Sequence, residues 1–253
     1  MKNFFLLFFI SNIFFINSQK NIIIENVSFF KTDPFANFYF CNNNKLIKID
    51  SQYNKLEYDF SEFGKLKKLI TKNPMRIILF FEETQKIIFL DKHLNKLNLN
   101  LGTQEIQNDL ISDIDSHSNL IYLLSEQNHK ICVYDFKKNK IIECVVDFIR
   151  KKDYLKLFLF EQKILLINNS EISILNNNLI EESIIQLEDC NDLFFDKELL
   201  FIKKSNELYS TKLTNLSKLQ FISEIKKNEL IDVNENILYK YHNNFLIEET
   251  LSK

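Results

Sequence analysis

The stretch LIKIDSQYNKLEY (residues 46–58) places an apolar strand, an aspartate, a short polar turn, an Asn-Lys pair and a second strand in a row. The same order returns in IIFLDKHLNKLNL (residues 87–99) and ICVYDFKKNKIIE (residues 131–143). The shared aspartates, Asp50, Asp91 and Asp135, lie 41 and 44 residues apart. A repeat of about forty residues with several short strands is typical of a β-propeller. We therefore predict an all-β fold whose blades are four-stranded antiparallel sheets.

Weaker copies of the repeat give a total of six units, and Asn176 replaces the aspartate in the fourth. The last unit has only three predicted strands, whereas a strand-like NIIIE (residues 21–25) precedes the first unit. An unpaired outer strand would expose backbone donors and acceptors. We expect the N-terminal strand to lie beside residues 244–248, which completes the sixth blade and closes the ring. Five or seven blades stay open, because KLKKLIT (residues 65–71) also fits a short helix.

The first eighteen residues have the features of a secretory signal peptide. Lys2 is followed by a mostly apolar run over residues 4–16, which is shorter than the roughly 20 apolar residues of a membrane-spanning helix. We predict cleavage after Ser18, export to the periplasm, the cell envelope or the extracellular space, and a single propeller domain over residues 19–253 without a membrane span. An uncleaved anchor or a buried first strand is the alternative.

Composition excludes several classes of function. The 253 residues carry a net charge of −2, and the basic doublets, such as Lys67-Lys68, are spread along the chain. We place them on solvated turns and sheet edges, and we expect no nucleic-acid binding. The chain has 2 glycines, which excludes most phosphate-cradling loops, and it has no GxSxG or HExxH motif. No cofactor is predicted.

Export would permit disulfide bonds, since oxidising compartments preserve them. Cys132 and Cys144 lie on the two strands of one predicted hairpin. If the turn centres near Lys138, the two side chains face each other, and if it centres half a residue earlier they point to opposite faces. A bridge and buried free thiols are the two alternatives.

The segments at residues 31–50 and 111–135 resemble NHL repeats, in which a Gly-Asn pair precedes a strand with an aromatic residue. Asn37 and Asn119 match the asparagine, and Tyr39 falls on the aromatic strand, as does its counterpart in the third unit, Tyr122. Ala36 and Ser118 occupy the glycine position, which serves a turn with positive φ. The chain as a whole resembles secreted six-bladed propellers of uncharacterised function from Gram-negative bacteria. This resemblance implies the six-bladed fold and no particular reaction.

Two sets of residues are candidates for a site. Asp113, Asp115 and His117 alternate along the predicted innermost strand of the third unit, where they would share one face and bind a divalent ion. The alternative is that they begin a turn and bond local backbone groups. Aromatic residues in predicted loops are the candidate binding contacts, namely Phe35, Tyr53 and Phe63.

These observations favour a monomeric, exported propeller that acts as a binding or scaffolding module for a protein or an envelope glycan, without an evident catalytic site. The repeated aspartates are predicted to hold turns by accepting hydrogen bonds from the backbone two residues on. A metal-assisted hydrolase or lactonase with Asp113, Asp115 and His117 near its site is the alternative.

Overall fold

A computed structural model describes residues 18–99, 110–125, 129–146, 154, 156–168, 170–216 and 218–251. Over these residues the chain is almost entirely β-structure, with two short 3-10 turns at Ser61–Phe63 and Leu213–Asn215. None of the helices in these ranges has the length and hydrophobicity that a bilayer crossing requires. The predicted signal peptide falls on residues 1–17, outside the described residues, and on Ser18.

The strands form six antiparallel sheets, which are the blades. The N-terminal strand is β1 (Ser18–Asn21). The first blade contains β2 (Val27–Thr32), β3 (Phe38–Asn42), β4 (Lys45–Ile49) and β5 (Lys55–Asp59). The second contains β6 (Lys68–Ile70), β7 (Ile77–Phe81) and β8 (Lys86–Leu90). The third contains β9 (Asp113–His117), β10 (Leu120–Ser125), β11 (Lys130–Asp135) and β12 (Lys140–Val146).

The later blades repeat this plan. The fourth contains β13 (Lys156–Phe160), β14 (Lys163–Ile167), β15 (Glu171–Asn176) and β16 (Glu181–Gln186). The fifth contains β17 (Cys190–Asp196), β18 (Leu199–Lys204), β19 (Glu207–Lys212) and β20 (Gln220–Glu224). The sixth contains β21 (Leu230–Asn234), β22 (Ile237–His242) and β23 (Phe245–Thr250), with β1 as its outermost strand. The predicted six-bladed propeller is confirmed.

Apolar packing between neighbouring blades follows from the burial of both faces of each sheet. The middle strands are largely buried, and in β7 every residue from Ile77 to Phe81 is apolar and buried. The outermost strands are largely exposed, as in β5 and β16. Within the described ranges, one apolar cluster lies between each pair of adjacent blades, including a cluster that joins Phe30 and Phe40 of the first blade to Tyr241 of the last. The packing is therefore continuous around the ring.

The outer strand of the last blade consists of other residues than predicted. Residues 18–21 pair with β23, from Ser18 opposite Glu248 to Asn21 opposite Phe245. Ile22 adds one bond, from its amide to the Asn244 carbonyl at 3.1 Å. Residues 22–25 then leave the sheet, because Ile22 and Ile24 turn into the apolar cluster between the last and first blades. That this pairing stabilises the closed ring stays a prediction.

The second blade also differs, since its described residues, which stop at residue 99 and resume at 110, form three strands where four were expected. The residues after β8 contribute a single bridge, from Leu90 to Lys96, and a hydrogen bond from the Leu97 amide to the Phe89 carbonyl at 2.8 Å. Leu97 and Leu99 pack against the core between the second and third blades instead of extending the ladder. The segment at residues 65–71, which also fits a helix, contains strand β6.

Cys132 and Cys144 lie directly opposite each other on β11 and β12. Their sulfurs are bonded at 2.07 Å, so the third blade carries a disulfide that ties its outermost strand to its neighbour. Cys41 and Cys190 are free and buried. Burial raises the pKa of the Cys190 thiol to about 12, with Asp192 adding to the shift, which makes this cysteine unreactive at neutral pH.

Candidate functional site: the central channel

The innermost strands β2, β6, β9, β13, β17 and β21 surround a cavity of about 240 Å³. The cavity lies toward the carboxyl ends of these strands and so opens near the turns that follow them. Its wall combines three lysines, carboxylates and phenylalanine rings, principally Lys31, Lys68, Lys72, Asp115, Asp232, Phe158, Phe194 and Phe195. Polar side chains are accommodated on these strands because they pair with one another and with backbone groups of the neighbouring blades.

Asp113 and Asp115 hold the third and fourth blades together. The Oδ2 atom of Asp113 accepts the Leu157 amide at 2.7 Å, and Oδ2 of Asp115 accepts the Leu159 amide at the same distance. Both amides belong to β13, whose inner edge has no strand beside it within its own blade. The two carboxylates therefore take the place of a neighbouring strand, which satisfies buried donors.

Asp232 makes the equivalent contact between the last blade and the first. Its Oδ2 atom accepts the Thr32 amide at 2.7 Å and the Thr32 hydroxyl at 2.8 Å. Thr71 extends the series, since its hydroxyl donates to the Thr32 carbonyl at 2.5 Å across the first and second blades. Side chains thus connect the inner edges of the blades that backbone ladders do not connect.

Each of the three channel lysines pairs with one of these aspartates. Lys31 Nζ lies 3.0 Å from Asp232, Lys68 Nζ lies 2.7 Å from Asp113, and Lys72 Nζ lies 2.5 Å from Asp115. The ammonium groups also face aromatic rings, with Lys31 4.7 Å from the centroid of Phe194 and Lys68 4.6 Å from that of Phe158. Such cation–π contacts attract the ammonium groups to the aromatic part of the channel wall.

The electrostatics of the channel differ between these groups. Partial loss of hydration inside the channel lowers the pKa of Lys72, and the ammonium groups of Lys68 and Lys31 lower it further against the attraction of Asp115. Burial also acts to lower the pKa of Lys31, but Asp232, Asp192 and Asp115 outweigh it and raise that pKa. Burial raises the pKa of Asp113, against the opposing influence of Lys68. Lys31 and Lys68 are thus both close enough to Lys72 to act on its charge.

Two rigid turns stand beside the channel mouth, on the first and second blades. The chain has 2 prolines, and each lies in the turn after an innermost strand, between a side chain that accepts a hydrogen bond and an exposed apolar residue. In the first turn Asp33 Oδ1 accepts the Phe35 amide at 2.9 Å, and in the second Asn73 Oδ1 accepts the Met75 amide at 3.0 Å. Phe35 is 66% exposed and Met75 is 55% exposed.

The predicted aromatic contacts do not share one surface. Phe35 lies in the turn between β2 and β3, and Tyr53, which is 60% exposed, lies in the turn between β4 and β5. Alternate turns of an antiparallel meander share a face, so both residues lie on the face that we call the turn face. Phe63 lies between β5 and β6, which places it on the opposite face, where its ring packs 5.4 Å from that of Phe81.

The predicted metal residues are arranged differently from a metal site. Asp113 and Asp115 are buried and engaged with Lys68, Lys72 and backbone amides, while His117 is exposed at the end of β9. Among the described residues, no group of three or more histidine, cysteine, aspartate or glutamate side chains is placed to hold a metal ion. The geometry gives the two aspartates a role in joining blades.

The repeated aspartates lie in turns, as predicted. Asp50 Oδ1 accepts the Gln52 amide at 2.9 Å and the Asn54 amide at 2.8 Å. Asp91 makes the same pair of bonds to residues 93 and 95, and Asn176 makes them to residues 178 and 180. Asp135 accepts the amides of residues 137 and 138. The prediction that these residues hold turns is confirmed.

The channel lysines were not predicted from the sequence. Lys68 was assigned with Lys67 to a solvated turn or sheet edge, but its side chain is 16% exposed and paired inside the channel. The sequence signal that could have predicted these lysines is the presence of charged residues in innermost segments. Lys68 and Lys72 in the second blade are opposite in charge to Asp113 and Asp115 in the third. The two lysines are an even number of residues apart, and so are the two aspartates. Each set therefore lies on one face of its extended segment.

Comparison with known proteins shows the fold alone. No family model matches the chain, and no curated protein matches it. A streptogramin B lyase structure aligns with a TM-score of 0.63 and 12% identity, covering 94% of this chain and 88% of that one. The WD40 domain of Neurospora crassa Pan2 aligns with a TM-score of 0.60 and 11% identity, covering 90% of each chain. Both structures are similar to this chain in architecture.

A further similar structure is PorZ, an essential bacterial surface component of the type-IX secretion system of Porphyromonas gingivalis. It aligns with a TM-score of 0.52 and 12% identity, covering 89% of this chain and 33% of that one. Identities this low carry the propeller architecture and leave activity to be argued from the residues of this chain.

Proposed function

We propose that this protein is an exported, monomeric propeller that binds a partner protein through its turn face. The observation that carries the proposal is the pair of exposed apolar side chains, Phe35 and Met75, on neighbouring Asx-Pro turns at the channel mouth. Exposed apolar residues are ordinary when they are isolated. These two are supported by the 2 prolines of the chain and lie on adjacent blades.

The rigidity of the two turns favours binding. In the first, Asp33 also accepts the Asn37 amide at 3.0 Å and the Tyr39 hydroxyl at 2.8 Å, and it is itself buried. Proline fixes φ of the residue before the apolar side chain. A contact residue that is already held in place loses little conformational entropy on binding, which strengthens association.

Basic side chains on the second and third blades indicate the chemistry of the partner, since the acidic residues of the same turns, Asp91 and Asp135, are occupied by turn amides. The exposed Lys92 lies in the turn that follows β8. Lys137 lies in the turn between β11 and β12. Both turns open on the turn face, as does the half-buried Arg76 beside Met75. A protein segment that combines an apolar side chain with acidic residues would complement this surface, since opposite charges accelerate encounter.

Export is supported by two features of the chain. Residues 1–18 have the pattern of a secretory signal, and the Cys132–Cys144 disulfide fits an oxidising compartment. An envelope glycan is a second possible occupant, because sugar rings stack on aromatic side chains such as Phe35 and Tyr53. The apolar thioether of Met75 favours a protein.

Site-specific photocrosslinking in cells of the source organism tests this proposal. Phe35, Met75 and, as a control on the opposite face, Ile23 are each replaced by benzoylphenylalanine; Ile23 is 73% exposed and lies in the connection between β1 and β2. We expect the same protein adduct from positions 35 and 75 and none from position 23. Adducts to polysaccharide, or protein adducts from position 23 alone, would contradict the proposal.

A further inference from the structure

We propose that the channel cavity binds a small organic anion, a carboxylate with an apolar body, between the ammonium groups of Lys31 and Lys72. This site lies inside the channel whose mouth the turn face borders, and the inference does not depend on the protein partner proposed above. The cavity of about 240 Å³ is somewhat smaller than the roughly 300–1,000 Å³ of pockets for drug-sized ligands. Its volume suits a single small acid.

The ion pairs of the channel present their positive ends to the cavity. The side chains of Asp232 and Asp115 are 10% and 2% exposed, whereas those of Lys31 and Lys72 are 30% and 44% exposed. The carboxylates are also occupied by the amides of Thr32 and Leu159. A molecule that enters the cavity therefore meets ammonium groups, although the pairs are neutral in sum.

The lysines keep hydrogen-bond donors for a ligand. An ammonium group has three N–H donors. Within the described residues, Lys72 donates to Asp115 and to the Leu159 carbonyl at 3.0 Å, which leaves one donor. Among the same residues, Lys31 donates to Asp232 and faces the ring of Phe194, which leaves two donors. Charge-assisted bonds from such donors to a carboxylate are among the stronger hydrogen bonds in proteins.

The electrostatic state of Lys72 favours an anionic ligand. Its pKa is lowered by loss of hydration and by the neighbouring ammonium groups of Lys68 and Lys31, against the attraction of Asp115. A carboxylate placed between Lys31 and Lys72 would offset the repulsion between the two cations.

Aromatic side chains determine the rest of the ligand. Phe158, Phe194 and Phe195 line the same cavity as the two lysines. An inorganic anion would contact the lysines alone, whereas an aromatic or aliphatic acid would also cover the exposed part of these rings and gain the free energy of apolar burial. An amphipathic carboxylate therefore fits both parts of the wall.

Binding of benzoate to the full mature protein tests the proposal. Benzamide, which has the same ring and no charge, is the matched ligand control. We expect benzoate to raise Tm in a saturable manner and to give a Kd by calorimetry, because a ligand that binds only the folded state stabilises it. We expect benzamide to have little effect. An equal response to the two ligands, or no response to benzoate, would overturn the proposal.

Two variants locate the site. Lys72→Met keeps the length of the side chain and removes its charge, and we expect it to weaken benzoate binding by about tenfold or more. Lys212→Met is the control, since Lys212 pairs with Glu198 at the exposed surface, and its benzoate affinity should match that of the wild type. Unchanged affinity in folded Lys72→Met would refute the site. Should that variant fail to fold, the comparison of benzoate with benzamide on the wild type decides alone.

Discussion

At the scale of single residues, most of the left-handed turn positions described in this protein are occupied by residues other than glycine. Nineteen of the described residues other than glycine have positive φ, among them Ala36 at 55° and Ser118 at 53°. These are the two positions where the NHL-like pattern has glycine. Residues with a Cβ atom adopt this conformation at a cost of roughly 1 kcal/mol. The chain therefore carries conformational strain at defined, replaceable positions.

Replacing Ala36 and Ser118 by glycine should stabilise the protein. We expect each of Ala36→Gly and Ser118→Gly to increase the free energy of unfolding by about 0.5 kcal/mol, because relief of the left-handed strain exceeds the added entropy of the unfolded chain. Ser51→Gly is the control, since Ser51 is exposed in a turn and does not have positive φ. Denaturant titration measures all three. A loss of stability in both test variants would show that these turns are not strained.

Sequence reasoning at this scale succeeded where one residue determines a local structure. The Asp50 turn could be predicted because its hydrogen bonds stay within four residues along the chain. The Lys68–Asp113 pair could not, because its members are 45 residues apart and meet only when two blades are placed side by side. The candidate ligand site in the channel consists entirely of contacts of this second kind.

At the scale of strands, the disulfide joins two elements of unequal burial. Cys132 lies on β11, whose residues are mostly buried, and Cys144 lies on β12, whose residues are mostly exposed. The sequence left two registers open for this hairpin. A register irregularity between Val133 and Tyr134 now accompanies the pairing of the two cysteines. Such a bulge shifts which residues face each other, and sequence alternation alone does not locate it.

Removing the disulfide should destabilise the protein. We expect Cys132→Ala with Cys144→Ala to lower the free energy of unfolding by about 2–4 kcal/mol, because the crosslink restricts the unfolded chain. Guanidinium titrations with and without dithiothreitol measure the effect. Reductant should lower the stability of the wild type toward that of the double variant and leave the variant unchanged. A wild type that is insensitive to reductant, or a variant that is equally sensitive, would contradict the assignment.

At the scale of the whole molecule, the pairing of β1 with β23 unites the two ends of the described chain. Deleting residues 19–25 from the mature protein should lower Tm sharply, because it removes the outer strand of the last blade and the buried side chains of Ile22 and Ile24. Deleting residues 19–21 alone isolates the contribution of strand pairing and should cause a smaller decrease. Calorimetry that finds the full-length Tm in both deletions would refute a role for the N-terminal strand in closing the ring.

The number of blades could be predicted at this scale because each unit contains its own turn signals. The closing strand begins at residue 18 and not at the predicted residue 21. The alternating burial of Ile22, Ile23 and Ile24 shows which side chains are buried, but it does not show whether their backbone is paired in a sheet. Ile22 and Ile24 are buried while Ile23 is exposed, yet their backbone has already left the sheet.

The junction between the first and last blades also fixes an order of events during biosynthesis. The Tyr241 hydroxyl lies 3.0 Å from the Ile22 carbonyl, although the two residues are 219 positions apart in the sequence. A ribosome or export channel releases the amino-terminal segment first. This segment can contact the last blade only after nearly the entire polypeptide has been released. Contacts between such distant residues form slowly. Nascent chains of this protein should therefore depend on protection from aggregation and proteolysis until the final strands emerge.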